Sequence, residues 1–183
     1  MLYTFRNFRG WVVLEFFLKN PNTKIHLKGL AKKLKISPRT AEVYCKSYLK
    51  EGILALDRVA NTTQYSLDND KPLVKAVKKM YALSVFNGSK NFYEFAAKNK
   101  NIIEIFLYGS YADGEYSSNS DVDLLIITQG EKKLDVSQLA RIGEALGSRI
   151  ETTIYTIGEW RKKQNTSFAV NVNKNKILLY RRE

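Results

Sequence analysis

The chain has 183 residues, 44% of them apolar, and a formal net charge of +12. That length supports one large or two small cores, and no apolar run approaches the ~20 residues that span a bilayer. The single Cys45 excludes an internal disulfide, and the start lacks the zones of a signal peptide, so a cytoplasmic location is expected.

The charge is uneven. Residues 1–87 hold 16 Lys+Arg and 6 Asp+Glu, net +10, whereas residues 88–183 hold 14 and 12, net +2. A surplus of that size marks the first half as a candidate for a polyanion, because Lys and Arg that displace counterions from phosphates supply most non-specific nucleic-acid affinity.

In chain order, Trp11 to Leu18 reads as a compact apolar helix, and Leu27, Leu30, Ala31 and Leu34 recur at helical spacing behind it. A third helix opens at Ser37 with Pro38 behind it, a cap and first-turn signal, and stops at Gly52. Its inner stripe is expected to be Ala41, Tyr44, Cys45, Tyr48 and Leu49, with Cys45 a plain buried thiol. Arg39, Thr40, Val43, Lys46 and Lys50 then face outward with Glu42 and are the candidate nucleic-acid contacts, joined by Arg58 near the tip of a hairpin. That hairpin is expected from Ile53 to Val59 and Gln64 to Leu67, around a turn at 60–63. Three helices and a hairpin resemble a winged helix-turn-helix domain, whose partner is duplex DNA, structured RNA or a protein.

Lys71 to Val85 is expected as a linking helix with Leu73, Val77, Met80, Tyr81 and Ser84 on one face and Lys71, Lys75, Lys78 and Lys79 elsewhere. That stripe must be buried on one of the domains or on a second copy in a homodimer. The organisation expected is a 1–70 domain, a 71–87 linking helix and an 88–183 domain, with Phe92, Phe95 and Ala96 opening the latter.

The most informative stretch runs from Ile102 to Thr128. An apolar strand, Ile102 to Tyr108, ends at Gly109-Ser110; a turn leads to Asp121-Val122-Asp123 and a second strand, Leu124 to Ile127. Small residues after a strand let backbone approach a phosphate, and free N–H groups with the Ser110 hydroxyl can donate to it. An acid pair at i and i+2 projects to one face of a strand and repels itself, which a hard divalent cation or plain solvation in a Ser/Asn-rich turn relieves. Downstream, an amphipathic helix is expected from Leu134 to Leu146. A strand follows from Arg149 to Thr156 with Glu151 as its acid, then a helix over 158–164 anchored by Trp160, and a closing strand from Ile177 to Tyr180. His26 has no companion ligand.

Gly109-Ser110, Gly114 and Ser120-Asp121-Val122-Asp123-Leu124-Leu125-Ile126 together resemble the signature of the DNA polymerase β-like nucleotidyltransferase superfamily, most closely its minimal branch. The resemblance covers about Phe92 to Arg181 and implies a small mixed-sheet α/β fold after the winged helix. It further implies Gly109 and Ser110 at the triphosphate of an NTP, in the first instance ATP, and Asp121 and Asp123 at two Mg²⁺ ions. Glu151 stands where the family usually has Asp and is the candidate third carboxylate, as metal ligand or base. Asp113 stands where the family often has Arg or Lys, and an acid there would repel phosphate. The expected function is transfer of a nucleoside monophosphate to an acceptor hydroxyl on a protein or a nucleic-acid end. The alternatives are a DNA-binding regulator whose second domain senses nucleotide or is inactive, and an adaptor whose winged helix docks on a protein.

Overall fold

The computed structural model describes residues 8–59 and 62–182. The first half comprises α1 (Arg9–Lys19), β1 (Ile25–His26), α2 (Leu27–Leu34), α3 (Pro38–Lys50), β2 (Leu54–Val59) and β3 (Thr62–Leu67). Its three strands form an antiparallel sheet in the order β1-β3-β2. The helices form where the apolar spacing demands: α1 buries Trp11, Val13, Leu14, Phe17 and Leu18 on one side. On α3 the Ser37 side chain accepts from the Thr40 N–H at 3.0 Å, Pro38 occupies the first turn, and Ala41, Cys45 and Tyr48 are buried. The Tyr48 hydroxyl ties α3 to α1 by donating to the Gly10 carbonyl at 2.8 Å. Burial pushes the Cys45 thiol up to about 12, so it stays protonated and inert. The hairpin is tighter than expected: pairing continues to Val59 opposite Thr62, because the β-branched threonines join the ladder. Of the expected turn, 60–61 lies outside the described residues.

The helix α4 (Pro72–Asn87) joins this half to the rest, and here the expected inner stripe is corrected. Val74, Lys78, Tyr81, Ala82, Ser84, Val85 and Phe86 are buried, while Leu73 and Met80 are exposed. Helical periodicity places a lysine on the wet side, yet the Lys78 ammonium is enclosed, donating to the Tyr116 carbonyl at 2.6 Å and to Asn69 Oδ1 at 3.0 Å. It also lies 4.6 Å from the Tyr116 ring centroid. The helix is therefore packed between the two halves of its own chain. One buried cluster runs continuously from Trp11 of α1 through Tyr81 of α4 to Leu146.

The second half follows with α5 (Lys90–Lys98), β4 (Ile102–Tyr108), α6 (Gly109–Asp113), β5 (Val122–Thr128), α7 (Leu139–Leu146), β6 (Ile150–Thr156), α8 (Ile157–Lys163), α9 (Ser167–Asn175) and β7 (Ile177–Arg181). The sheet order is β6-β5-β4-β7, with β5 and β6 parallel and the other pairs antiparallel. This is a small mixed sheet between helices, with Ile105, Leu107, Leu124 and Ile126 in the larger core and Phe106, Leu125 and Ile127 against Trp160, Ala169 and Val172 on the other face.

Two features differ from the sequence reading. The helix expected from Leu134 begins only at Leu139, because the Asn99 side chain ties up the backbone of Asp135 and keeps it out of the helix. Its amide donates to the Asp135 carbonyl at 3.0 Å and its oxygen accepts from the Asp135 N–H at 2.8 Å. The helix α9 was not expected: its Asn-rich, β-branched sequence has poor intrinsic helicity, and a Thr166 cap with burial of Ala169 and Val172 stabilises it. No described helix is long and apolar enough to cross a membrane.

Burial pulls the Lys78 ammonium down to about 8 from its ordinary 10.5, against the attraction of Glu115. A folded-state value below the unfolded one means that the unfolded chain binds more protons in this window, so the contribution of Lys78 to stability rises from about pH 8 to 10.5. Denaturant unfolding of the native chain and Lys78→Met at pH 7, 8, 9 and 10 is expected to show this rise in the native chain and its loss in the variant.

Candidate active site

β4 and β5 run antiparallel so that Tyr108 opposes Asp123 as their last pair, and β6 runs parallel to β5 with Glu151 beside Asp123. Residues separated by 43 positions or fewer in the chain are thus gathered at one end of the sheet by register alone. Val122 and Leu124 are fully buried on the inner face, which turns Asp123 to the opposite face with Tyr108. Asp121 immediately precedes the strand.

Gly109 has φ +69, and a Cβ there would stand 2.5 Å from Asp123 Oδ2. Both the left-handed backbone and the approach of the carboxylate require glycine at this position. Gly109–Asp113 makes one short helix, closed by Gly114 at φ +74, where a Cβ would collide with the Lys75 carbonyl of α4.

The carboxylates sense one another. Burial, then Glu151, then Asp121 raise the Asp123 carboxyl above its ordinary value. Glu151 itself is exposed. Among the described residues no three His, Cys, Asp or Glu side chains already converge as a metal-binding group. The donor chemistry still fits a hard divalent cation: carboxylate oxygens, mutually repulsive, with no sulfur or imidazole among them.

Two neighbours of Asp123 were not singled out from sequence. The Tyr108 hydroxyl and Thr153 Oγ1 are 3.1 Å apart, and strand parity from Asp123 and Glu151 was the signal that could have found them. Burial raises the Tyr108 phenol, the Thr153 bond opposes this, and Asp123 and Glu151 add to it. Beside them Tyr108, Gly109, Asp113, Phe168, Lys174 and Asn175 are among the residues lining a cavity of about 340 Å³. The Asp113 carboxylate accepts from Asn175 Nδ2 at 2.9 Å. The acid that departs from the family pattern is therefore held by α9, and Lys174 brings a positive charge to the same cavity.

The loop between Gly114 and Asp121 is anchored to the first half of the chain. The Tyr116 ring stacks on Tyr111 at 4.0 Å between centroids, and its hydroxyl donates to the Leu18 carbonyl of α1 at 3.1 Å. Ser118 N–H donates to Asn22 Oδ1 at 2.8 Å, and Lys75 pairs with Glu115 at 2.6 Å.

The other candidates lie elsewhere. Arg39, Val43, Lys46 and Lys50 are exposed on α3, and Arg58 is exposed on β2 opposite Thr63. Thr40 is half-buried, with its hydroxyl 2.8 Å from that of Ser37. Glu42 takes Lys46 at 2.6 Å and Arg39 at 3.4 Å, and these pairings, Lys46 first, hold its carboxyl below the ordinary value.

The profile of the family described as "Polymerase beta, Nucleotidyltransferase" matches residues 90–183. The chain belongs to this family. As a family nucleotidyltransferase it is similar to a Methanocaldococcus jannaschii protein named as a protein adenylyltransferase, 32% identical over 79 residues that make up 43% of this chain and 79% of that one. Among solved structures it is similar to a Sulfolobus solfataricus protein described as a nucleotidyltransferase, with TM-score 0.39 and 22% identity over 62% of this chain and 92% of the other. It is also similar to a chain in a toxin-antitoxin structure with AMP-PNP, with TM-score 0.36 and 18% identity over 51% and 73%.

Gly109→Ala is expected to destabilise the nucleotidyltransferase by about 1–3 kcal/mol, since it combines a strained backbone with a clash on Asp123. Gly158→Ala, where a Cβ meets nothing within 4 Å, should be neutral or slightly stabilising in the same chemical denaturation series.

Proposed function

We propose that this nucleotidyltransferase moves AMP from ATP to a hydroxyl on a protein acceptor, with Asp121, Asp123 and Glu151 as its carboxylates and Gly109 and Ser110 at the triphosphate. The observation that carries the reading is the register at the end of the sheet, which sets Gly109 against Asp123 and Asp123 beside Glu151. Membership of the family supports the transfer chemistry. The similarity to a protein adenylyltransferase supports ATP and a protein acceptor.

Asp121 and Asp123 would hold Mg²⁺, with Glu151 as the further ligand or base. When bound, the ions neutralise the charge that builds on the departing pyrophosphate and polarise the phosphate under attack. The chain's own residues position the reactants. Gly109 has no side chain to obstruct a phosphate, and the Ser110 hydroxyl can donate to one of its oxygens. Glu151, exposed beside Asp123, can take the proton of an incoming hydroxyl. Positioning and charge are most of what phosphoryl-type transfer requires.

The amino-terminal unit, residues 1–70, is read as a winged helix-turn-helix domain linked by residues 71–87 to the transferase unit at 88–183. Its helix order and β1-β3-β2 sheet support this, as do the exposed Arg39, Val43, Lys46, Lys50 and Arg58. Glu42 opposes it, since it neutralises part of the outer face of α3. In this second reading the unit binds duplex nucleic acid. Fluorescence anisotropy on a labelled duplex over 50–200 mM salt should then give a linear log–log slope, which Lys50→Ala lowers by about one at similar cost for every sequence. A flat salt response would leave the unit as a protein-docking module.

The transferase reading is tested by incubating the protein with α-³²P-labelled ATP, Mg²⁺ and a cell extract, then resolving the proteins by electrophoresis. Label is expected on a protein band and should fall by about 10²–10³-fold in Asp121→Asn/Asp123→Asn, the scale of losing a preorganised charge-stabilising group. Label confined to nucleic acid would move the acceptor class. ATP binding without any transfer would make the domain a nucleotide sensor.

A further inference from the structure

Resting on the protein-acceptor reading above, we propose that the acceptor is an extended peptide segment that adds as a fifth strand to the outer edge of β6, presenting its hydroxyl side chain beside Glu151. β6 is the terminal strand of the sheet, and none of its residues is buried, in contrast to β5.

The hydrogen-bond phase of this edge is fixed by one contact. The Val122 N–H donates to the Arg149 carbonyl at 2.8 Å, and in a parallel ladder bonding alternates along each strand. Residues 149, 151, 153 and 155 therefore direct their backbone to β5, and the N–H and C=O of Ile150, Thr152 and Ile154 open outward. Such a row is complementary to extended main chain and to little else.

Natural edges are commonly blunted by Lys, Pro or inward charges. β6 reads Ile-Glu-Thr-Thr-Ile-Tyr-Thr, with no Lys, Arg or Pro, and its one charge is Glu151 of the candidate site. The edge on the opposite side of the sheet, β7, carries Arg181 instead.

The two faces flanking this edge differ in a way that suits a guest strand. Glu151 and Thr153 share the face of Asp123. On the other face Val136, Leu139, Ala140 and Ile150, together with the charged Glu144 and Arg149, line a groove of about 600 Å³ between α7 and β6 whose apolar side chains outnumber its charged ones. Successive side chains on an added strand alternate between faces. A hydroxyl residue directed to Glu151 thus places its two neighbours over the groove, where apolar side chains are preferred. In the transfer the guest hydroxyl oxygen bonds to the α-phosphorus of ATP as the bond from that phosphorus to the bridging oxygen breaks. The hydroxyl proton passes to the Glu151 carboxylate, and pyrophosphate leaves with the bonding electron pair.

The test uses the full chain, α-³²P-labelled ATP, Mg²⁺ and nine-residue peptides with a central Tyr, Thr or Ser. Each is made with flanking Leu, with flanking Asp, and with flanking Leu N-methylated at both backbone amides. Thr152→Pro is the matching protein variant, since proline is tolerated on an edge where its missing N–H faced solvent. Leu-flanked peptides should be labelled at least tenfold faster than the Asp-flanked and N-methylated forms. Thr152→Pro should lose that labelling tenfold while binding ATP within twofold of the native chain by calorimetry. Equal labelling of all three peptide forms, or unchanged labelling by a Thr152→Pro chain that folds, overturns the edge proposal alone. Label on no protein or peptide removes the acceptor reading and this proposal with it. A change of oligomeric state in Thr152→Pro with peptide labelling intact assigns the edge to a second copy and overturns the proposal.

Discussion

The structure depends on a buried positive charge. Lys78 brings an ammonium between α4 and the loop that precedes β5, and a charge taken from water is tolerated only where it is fully hydrogen-bonded. The Tyr116 carbonyl, Asn69 Oδ1 and the Tyr116 ring meet that need. Asn69 in turn donates to the Pro21 carbonyl, so a single side chain closes a ring through both halves of the chain. The backbone between Gly109-Ser110 and Asp121-Asp123 has its course set from outside the transferase sheet.

The candidate site shows the opposite economy. Around Asp123 the fold gathers like charges, and its carboxyl is raised by burial first and by Glu151 and Asp121 after it. A chain selected for stability alone would not keep three acids at one end of a sheet. Such local frustration marks this end of the sheet as a candidate functional site. Asp113, the departure from the family pattern, is absorbed differently: the amide of Asn175 takes up its carboxylate, leaving Lys174 to set the charge of that cavity wall.

Strands and short motifs were legible in the sequence because their signals are local. Ile102 to Tyr108 and the Ser37-Pro38 helix start appear as read, and the glycine after β4 stands where the left-handed turn needs it. What was not legible depended on tertiary partners. Lys78 reads as a surface residue until Tyr116, 38 positions away, supplies its acceptor. The start of α7 is set by Asn99, 36 positions from Asp135, and α9 owes its helix to the aromatic face it covers. In the site, Asp121 and Asp123 were visible as a motif, whereas Tyr108 and Thr153 emerge only once three strands are in register.

The Tyr116 hydroxyl on the Leu18 carbonyl has a consequence for how such a chain can evolve. Family domains of this kind could be pictured as portable, to be joined to any targeting unit by a linker. Here the loop of the transferase is finished by α1 and α4, so cutting the chain near Gly88 would expose two stacked tyrosines and strip the Tyr116 carbonyl of its ammonium. The amino-terminal half is part of the enzyme's interior. Exchange of that half for another would require the newcomer to supply a carbonyl, an amide and a buried lysine in the same places, which ties the inheritance of the two halves together.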